Sequence, residues 1–343
     1  MIVQGLNFEG FRNIRNRSIH FDSRRNLIYG RNGAGKSSVL ETIFLTAFGK
    51  SFLNVMLRDM IPREKNVFRF HISLVHGSAE HEIVCFSGGK KLELELDGKR
   101  SQTGFIRKVL YPVFFTSTGY LMEIESVPHL RRLMNRFICG VDALYIRYIL
   151  SYNQALKQKN HLLRFRPDAA EIGGWNRVLS ETGTRIMDAR KAFINDLNRE
   201  IRNQRMEEMQ IEYIPSIDIE PDGGMDAFNA ELERMRSVES RYQRSVAGPH
   251  RDRYEIRLQN LPLKHHSSGE KKIHLLMAYI AFIRMFQKRN GDYPVFLVDD
   301  YDTAMDSENI RMFMESYPEM QVIATSVNPN GRFDRQIELA REN

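Results

Sequence analysis

The chain has 343 residues, 42% hydrophobic and 27% charged, with a formal net charge of +7 and only two cysteines. That composition fits a globular protein of about two domains, and it excludes a disulfide-built scaffold. Cys85 and Cys139 alone point to a reducing cytoplasm. The opening MIVQGLNFEGFRN has no secretory apolar core, and the longest apolar run, 273–286, is broken by His274 and Arg284. It falls short of the roughly 18 residues of a membrane span, so no membrane partner is expected.

The first hundred residues have strand character. A short apolar strand, Leu27-Ile28-Tyr29, leads into a glycine-rich stretch, and Val39, Leu40, Ile43, Phe44 and Ala47 then step at helical spacing. FRFHISLVHG and EHEIVCF predict two further strands. Leu92, Leu94 and Leu96 alternate with Glu93 and Glu95 before an Asp97-Gly98 turn, and VLYPVFF follows at 109–115. From about Pro128 the pattern is helical. Trp175, Leu179, Thr182, Ile186, Ala189, Phe193, Leu197 and Ile201 form one seam, predicting a helix of about 30 residues. Arg177, Arg185, Arg190, Lys191, Arg199 and Arg202 fall mostly off that seam. A loop is expected around Pro221-Asp222-Gly223-Gly224, and strands return at 254–260, 294–300, 321–327 and 335–340. The expected architecture is α/β: one lobe made from both chain ends (1–115 and 245–343), with a mainly helical lobe (116–244) inserted.

Charge is uneven. Residues 131–205 hold 15 Lys/Arg against 7 Asp/Glu, leaving the rest of the chain near neutral. A basic segment suggests an anionic partner, nucleic acid first, with Arg190, Lys191, Arg199 and Arg202 as candidate phosphate contacts. The competing reading is a solvated helix face.

Gly30-Arg31-Asn32-Gly33-Ala34-Gly35-Lys36-Ser37 matches G-x-x-x-x-G-K-[ST] at every fixed position, between a strand and a helix. Its glycines let backbone N–H groups point at phosphate oxygens. Lys36 brings charge to the β/γ-phosphates, and the Ser37 hydroxyl can ligate Mg²⁺, so ATP and magnesium are the expected cofactors. Val295-Phe296-Leu297-Val298-Asp299-Asp300 is the matching acidic strand, with Asp299 on the magnesium side and Asp300 as the candidate base for water. HHSSGEKK at 265–272 precedes the most apolar helix. It is either a polar turn that caps the helix, or a phosphate-facing helix start formed by Ser267, Ser268, Gly269 and Glu270. The latter is useful if it meets another subunit's nucleotide.

In chain order, FEGFRN (8–13), GRNGAGKSSVLETIFLTAFGKSF (30–52), VPHLRRLMNRF (127–137), SYNQALKQKNHLLR (151–164), GPHRD (248–252), SSGEKK (267–272) and DDYDTAMD (299–306) make the chain resemble the RecF family, relatives of the SMC-type ABC ATPases. The resemblance spans nearly the whole length and implies an ABC-type P-loop ATPase head. It adds Arg12, Asn13 and Ser38 to the nucleotide site and Asp306 to a loop between subunits. It further implies an ATP-dependent homodimer, binding of duplex and gapped DNA, slow hydrolysis, and recombination mediator proteins as partners. The chain departs from the family pattern at Leu53, Met134-Asn135, Arg253 and Glu270-Lys271, and Thr325-Ser326 occupies the usual switch-histidine position. The rival functions are an ATPase subunit of a nuclease or phage-defence system, a transporter ATPase, and a nucleotide-binding scaffold without turnover.

Overall fold

The computed structural model describes residues 1–116, 119–165, 168–204, 208–219, 223–304 and 316–340. The chain divides into two compact units, Met1–Tyr120 with Phe286–Asn343, and Leu121–Met285.

The first unit holds two sheets. One is antiparallel, with strands in the order Arg17–His20, Ile2–Gly10, Phe68–His76, Ala79–Ser87, Glu93–Leu96 and Lys99–Ser101. Its core side is written by alternation: Phe68, Phe70, Ile72 and Leu74 are all fully buried. Asp97 (φ 51°) and Gly98 (φ 73°) both take the left-handed backbone that a two-residue hairpin requires. The other sheet is parallel, in the order Arg335–Glu338, Arg25–Tyr29, Val322–Ser326, Val295–Asp299 and Pro112–Thr116. Its central strands Val295–Asp299 and Val322–Ser326 are buried at every residue, which explains the apolar runs Val295–Val298 and Val322–Ala324. Helix Lys36–Phe48 packs on this sheet. The fully buried Gln321 ties the two sheets together: it accepts from Val3 N–H (2.8 Å) and donates to Val3 C=O (2.7 Å).

The second unit contains helices Val127–Val141, Tyr145–Phe165, Ala169–Asn203, Gly224–Arg234 and Arg236–Tyr242. It also has a small antiparallel sheet of Leu261–Pro262, Arg253–Leu258 and Met209–Ile214. The long helix has 35 residues, and Asp168 caps its start by accepting from Glu171 N–H at 2.9 Å. The predicted seam is its buried side: Leu179, Thr182, Ile186, Phe193, Leu197 and Ile201 are buried, with Trp175 and Ala189 half-buried. Of the expected loop, Pro221 and Asp222 lie outside the described residues, and a helix already begins at Gly224.

Three expectations change. The first unit resumes at Phe286 rather than at 245. The strand expected at 254–260 pairs with Met209–Ile214, a strand the sequence patterns did not separate, and so belongs to the helical unit. Arg190, expected on the basic face, is instead 1% exposed. It sits beside Ile186, Phe193 and Leu197 on the helix, and its partner comes from GPHRD. Its Nη1 donates to Asp252 Oδ2 (2.6 Å) and Pro249 C=O (2.8 Å), its Nε to Tyr145 Oη (3.0 Å), and its Nη2 to Asn135 Oδ1 (3.1 Å). Asp252, also fully buried, accepts from Tyr213 and from Ser216 N–H (2.9 Å). A buried charge held on every side is structural, because its removal strands the opposite charge without water.

Arg190→Ala is therefore expected to destabilise the helical unit by about 3–5 kcal/mol. Arg202→Ala, on the solvent side, changes stability by no more than about 0.5 kcal/mol. Equilibrium urea unfolding of the two proteins checks both values.

Candidate nucleotide site and signature helix

The P-loop is shaped by three glycines with positive φ: Gly30 (150°), Gly33 (81°) and Gly35 (98°). A Cβ at Gly30 would lie 2.4 Å from the carbonyl oxygen of Leu339, so a side chain there must displace backbone. Arg31, Asn32 and Gly33 form the exposed tip, whereas Ala34, Lys36 and Ser38 are buried. Asn13 braces the loop, donating from Nδ2 to Gly33 C=O at 2.8 Å. Lys36 Nζ donates to the carbonyls of Gly30 (2.7 Å) and Arg31 (3.2 Å), which holds its charge against the loop.

The chemistry converges at the C-terminal ends of the parallel strands. Ser37 Oγ donates to Asp299 Oδ1 at 3.0 Å, and Thr325 Oγ1 donates to the same oxygen at 2.6 Å. Burial pushes the Asp299 carboxyl above the usual carboxylate range, and the nearby Asp300 charge adds to this. The two hydroxyl bonds and Lys36 oppose it. The backbone of Asp300 is left-handed (φ 53°), and its N–H donates to Thr325 Oγ1 at 2.9 Å. A hydroxyl and a carboxylate side by side are hard oxygen donors that suit Mg²⁺, which takes its remaining ligands from phosphate and water. Among the described residues no group of three or more His, Cys, Asp or Glu offers an all-protein metal cage. The hydroxyl of Ser326, the second at the switch position, has Asp302 and Asn328 C=O (2.5 Å) as alternative acceptors for its one proton, and it accepts from Asn328 N–H (3.0 Å).

Arg12, expected to line the nucleotide site, is held by the fully buried Glu41 through a paired contact: Nη2 to Oε1 at 2.8 Å and Nε to Oε2 at 2.5 Å. It still borders a cleft of about 880 Å³ beside Asn13, together with Arg15, Asp59, Arg63 and Lys65. The wall at 59–65 was missed, because in sequence it is only a charged loop with a proline.

In the second unit, HHSSGEKK resolves into a 3₁₀ turn and the start of helix Ser268–Asn290. Ser267 and Glu270 form a reciprocal capping box: Glu270 N–H donates to Ser267 Oγ (3.3 Å), and Ser267 N–H (3.0 Å) and Oγ (2.6 Å) donate to Glu270 Oε2. These bonds hold the Glu270 carboxyl below the usual glutamate range, the Ser267 hydroxyl contributing most. The capping reading is thus realised, with Ser267, Ser268, Gly269 and Glu270 all exposed. On the long helix Lys191 and Arg202 are exposed, and Arg199, 67% exposed, pairs with Asp196 at 3.3 Å. Asp306 lies outside the described residues.

Comparison with known proteins bears on this arrangement. The family model for the RecF/RecN/SMC N terminal domain matches residues 2–332. The DNA replication and repair protein RecF of Geotalea daltonii is 30% identical over 96% of this chain and 93% of its own length. The chain belongs to the RecF family. The RecF of Acetivibrio thermocellus is 27% identical over 95% of this chain and 93% of its own length. Among solved structures, the recombination mediator protein RecF with ATP, of the RecFOR pathway, superposes with a TM-score of 0.88 at 21% identity, covering 96% of this chain and 93% of that one. The Smc head of Pyrococcus furiosus bound to the C-terminal domain of ScpA gives a TM-score of 0.55 at 16% identity, covering 99% and 94%. The expected ABC-type ATPase head, shared by RecF and SMC proteins, is thus borne out. No helix among the described residues is long and apolar enough to cross a membrane.

Gly30→Ala is expected to weaken nucleotide binding by at least about tenfold, since the strain of placing a side chain in glycine-only backbone next to Leu339 falls on the phosphate cradle. Titration with a fluorescent ATP analogue measures this.

Proposed function

We propose that this chain is an ATP-gated DNA-binding protein of recombinational repair and replication restart, acting as a nucleotide-dependent homodimer on duplex DNA near single-strand gaps. The observation that carries the reading is the coupling of Ser37 to Asp299 at 3.0 Å in one unit, together with a separate, exposed signature helix start in the other. One P-loop and one distant signature per chain suit a sandwich in which each subunit completes its partner's site. RecF relatives named for DNA replication and repair support the same direction.

In this reading the P-loop N–H groups and Lys36 bind the phosphates, and Ser37 and Asp299 hold magnesium, which supplies charge neutralisation at the β/γ-phosphates. Asp300 accepts a proton from the attacking water. Its side chain is one methylene shorter than the glutamate common in ABC-type sites, so it reaches the water fully only in a closed dimer. Hydrolysis is then slow and works as a timer that resets the clamp. Ser267, Ser268 and Gly269 approach the partner's γ-phosphate with the helix-start charge of roughly +0.5. Lys191, Arg199 and Arg202 contact DNA phosphates without reading bases, and mediator proteins that load recombinase are the expected protein partners. The ATPase is DNA-stimulated and weak.

Sedimentation with ATP tests the sandwich. The wild type dimerises, and Ser268→Arg binds ATP as a monomer but does not dimerise, because a bulky cation fills the phosphate-facing turn. Asp300→Asn dimerises, does not hydrolyse ATP, and stays on DNA longer. A normal ATP-dependent dimer from Ser268→Arg would remove the trans role of the signature.

Replacing Lys191, Arg199 and Arg202 with alanine is expected to weaken binding to all duplex sequences alike. It should also reduce the slope of log affinity against log salt by about 1 for each phosphate no longer neutralised. Fluorescence anisotropy over a salt series reads both effects.

A further inference from the structure

The strand Val322–Ser326 lies between the P-loop strand and the acidic strand. Thr325 is level with Ile28 on one side, and its neighbour Ala324 is level with Val298 on the other. Thr325 therefore stands where the magnesium-side acid and the candidate base leave the sheet. By position in the sequence it is a candidate for contact with the γ-phosphate. Its geometry assigns it otherwise. The side chain is fully buried, and its single hydroxyl is used in both directions: it donates to Asp299 Oδ1 at 2.6 Å and accepts from Asp300 N–H at 2.9 Å.

We infer that Thr325 is a positioning residue of the nucleotide site: one buried hydroxyl locks the Asp299 carboxylate and the Asp300 backbone into a single fixed relation. The inference rests on the nucleotide-site reading above and adds a residue to it. Three observations converge. First, Ser37 and Thr325 both donate to Oδ1, leaving Asp299 Oδ2 without a donor among the described residues. That pattern sets the rotation of the carboxylate and leaves Oδ2 as the oxygen that would be available to a metal ion. Second, Asp300 is left-handed, a backbone region that non-glycine residues enter at a cost, so the conformation needs an external hold. The bond from its N–H to Thr325 is such a hold. Third, a hydroxyl carries one proton and accepts through its lone pairs, so it alone among small side chains can bridge a carboxylate to an N–H in this way. Valine keeps the shape and can do neither. The neighbouring Ser326 cannot substitute, because its hydroxyl is committed to Asp302 and Asn328 C=O.

The test compares Thr325→Val and Thr325→Ser with the wild type, with a fluorescent ATP analogue as probe and Mg²⁺ titrated from EDTA upward. In Thr325→Val the Mg²⁺ concentration giving half-maximal nucleotide binding rises about tenfold, whereas binding in EDTA is unchanged. The turnover number falls about tenfold or more with KM for Mg–ATP at saturating Mg²⁺ nearly unchanged, and Thr325→Ser restores both. A readout without nucleotide accompanies these: exchange of the Asp300 amide hydrogen is about tenfold faster in Thr325→Val and near the wild-type rate in Thr325→Ser. Should the valine protein not fold, Thr325→Cys, whose thiol is a weak donor and acceptor, takes its place with the same expected direction. A valine protein with wild-type Mg²⁺ requirement and wild-type Asp300 exchange overturns the inference, as does a serine protein as impaired as valine. Nucleotide binding in the wild type that ignores both Mg²⁺ and Asp299→Asn would instead overturn the site reading itself, and the role of Thr325 with it.

Discussion

The hydrogen bond from Ser37 to Asp299 joins residues 262 positions apart in the chain, and at 3.0 Å it leaves little tolerance. A slip of one residue in any of the three strands Arg25–Tyr29, Val322–Ser326 and Val295–Asp299 would move one partner by about 3.3 Å and break it. The buried side chains of Val322–Ser326 and Val295–Asp299, and of Asn26, Leu27 and Ile28 between half-buried ends, make such a slip costly, since each would exchange packed faces for mismatched ones. The Gln321 clamp to Val3 fixes the same strand against the antiparallel sheet. Gly35, left-handed at the helix start, aims Lys36 and Ser37 back over the strand ends. The precision of the site thus comes from sheet register, and the loops only finish it.

The signature helix shows a different logic. Its first turn is satisfied internally by Ser267 and Glu270, so the helix start exists whether or not phosphate is near. Glu270 also sets a negative charge at the positive end of the helix, which stabilises the helix by a few tenths of a kcal/mol to about 1 kcal/mol. The same charge lowers the potential offered to an incoming anion. Stability of the turn and attraction for phosphate are therefore opposed in this sequence, and glutamine at that position would shift the balance.

Much of this was legible in the chain itself. The P-loop, the acidic strand and the 3.6-residue seam of the long helix depend on short-range patterns, and each stands where those patterns place it. What was not legible depends on distant partners. Arg190 looks like its neighbours Lys191 and Arg199 until Asp252, 62 residues on, comes against it. Lys159 is likewise counted among the basic residues yet is buried with Glu239 at 2.7 Å. Among the described residues, Lys159 and Arg190 thus serve the core, and the outward charge is smaller than the count of 15 between 131 and 205 suggests. The strand Met209–Ile214 was overlooked for the same reason: its pairing with Arg253–Leu258, not its own composition, defines it. Family resemblance carried the signature and GPHRD, whose chemistry in isolation is ambiguous.

The parallel sheet also has a history during synthesis. Strand Arg25–Tyr29 is flanked on one side by Val322–Ser326 and on the other by Arg335–Glu338, both made about 300 residues later. At about 5–20 residues per second, the P-loop strand waits roughly 15–60 s on the ribosome with both hydrogen-bonding edges unmatched. Unpaired apolar strand edges invite association between chains. The helical unit, by contrast, finds its partners within one continuous stretch, Leu121–Met285, and can be complete while the ATPase sheet is still open. Placing the insert between the two halves of the sheet therefore makes the nucleotide-binding half the last to close, and the most dependent on protection as the chain emerges.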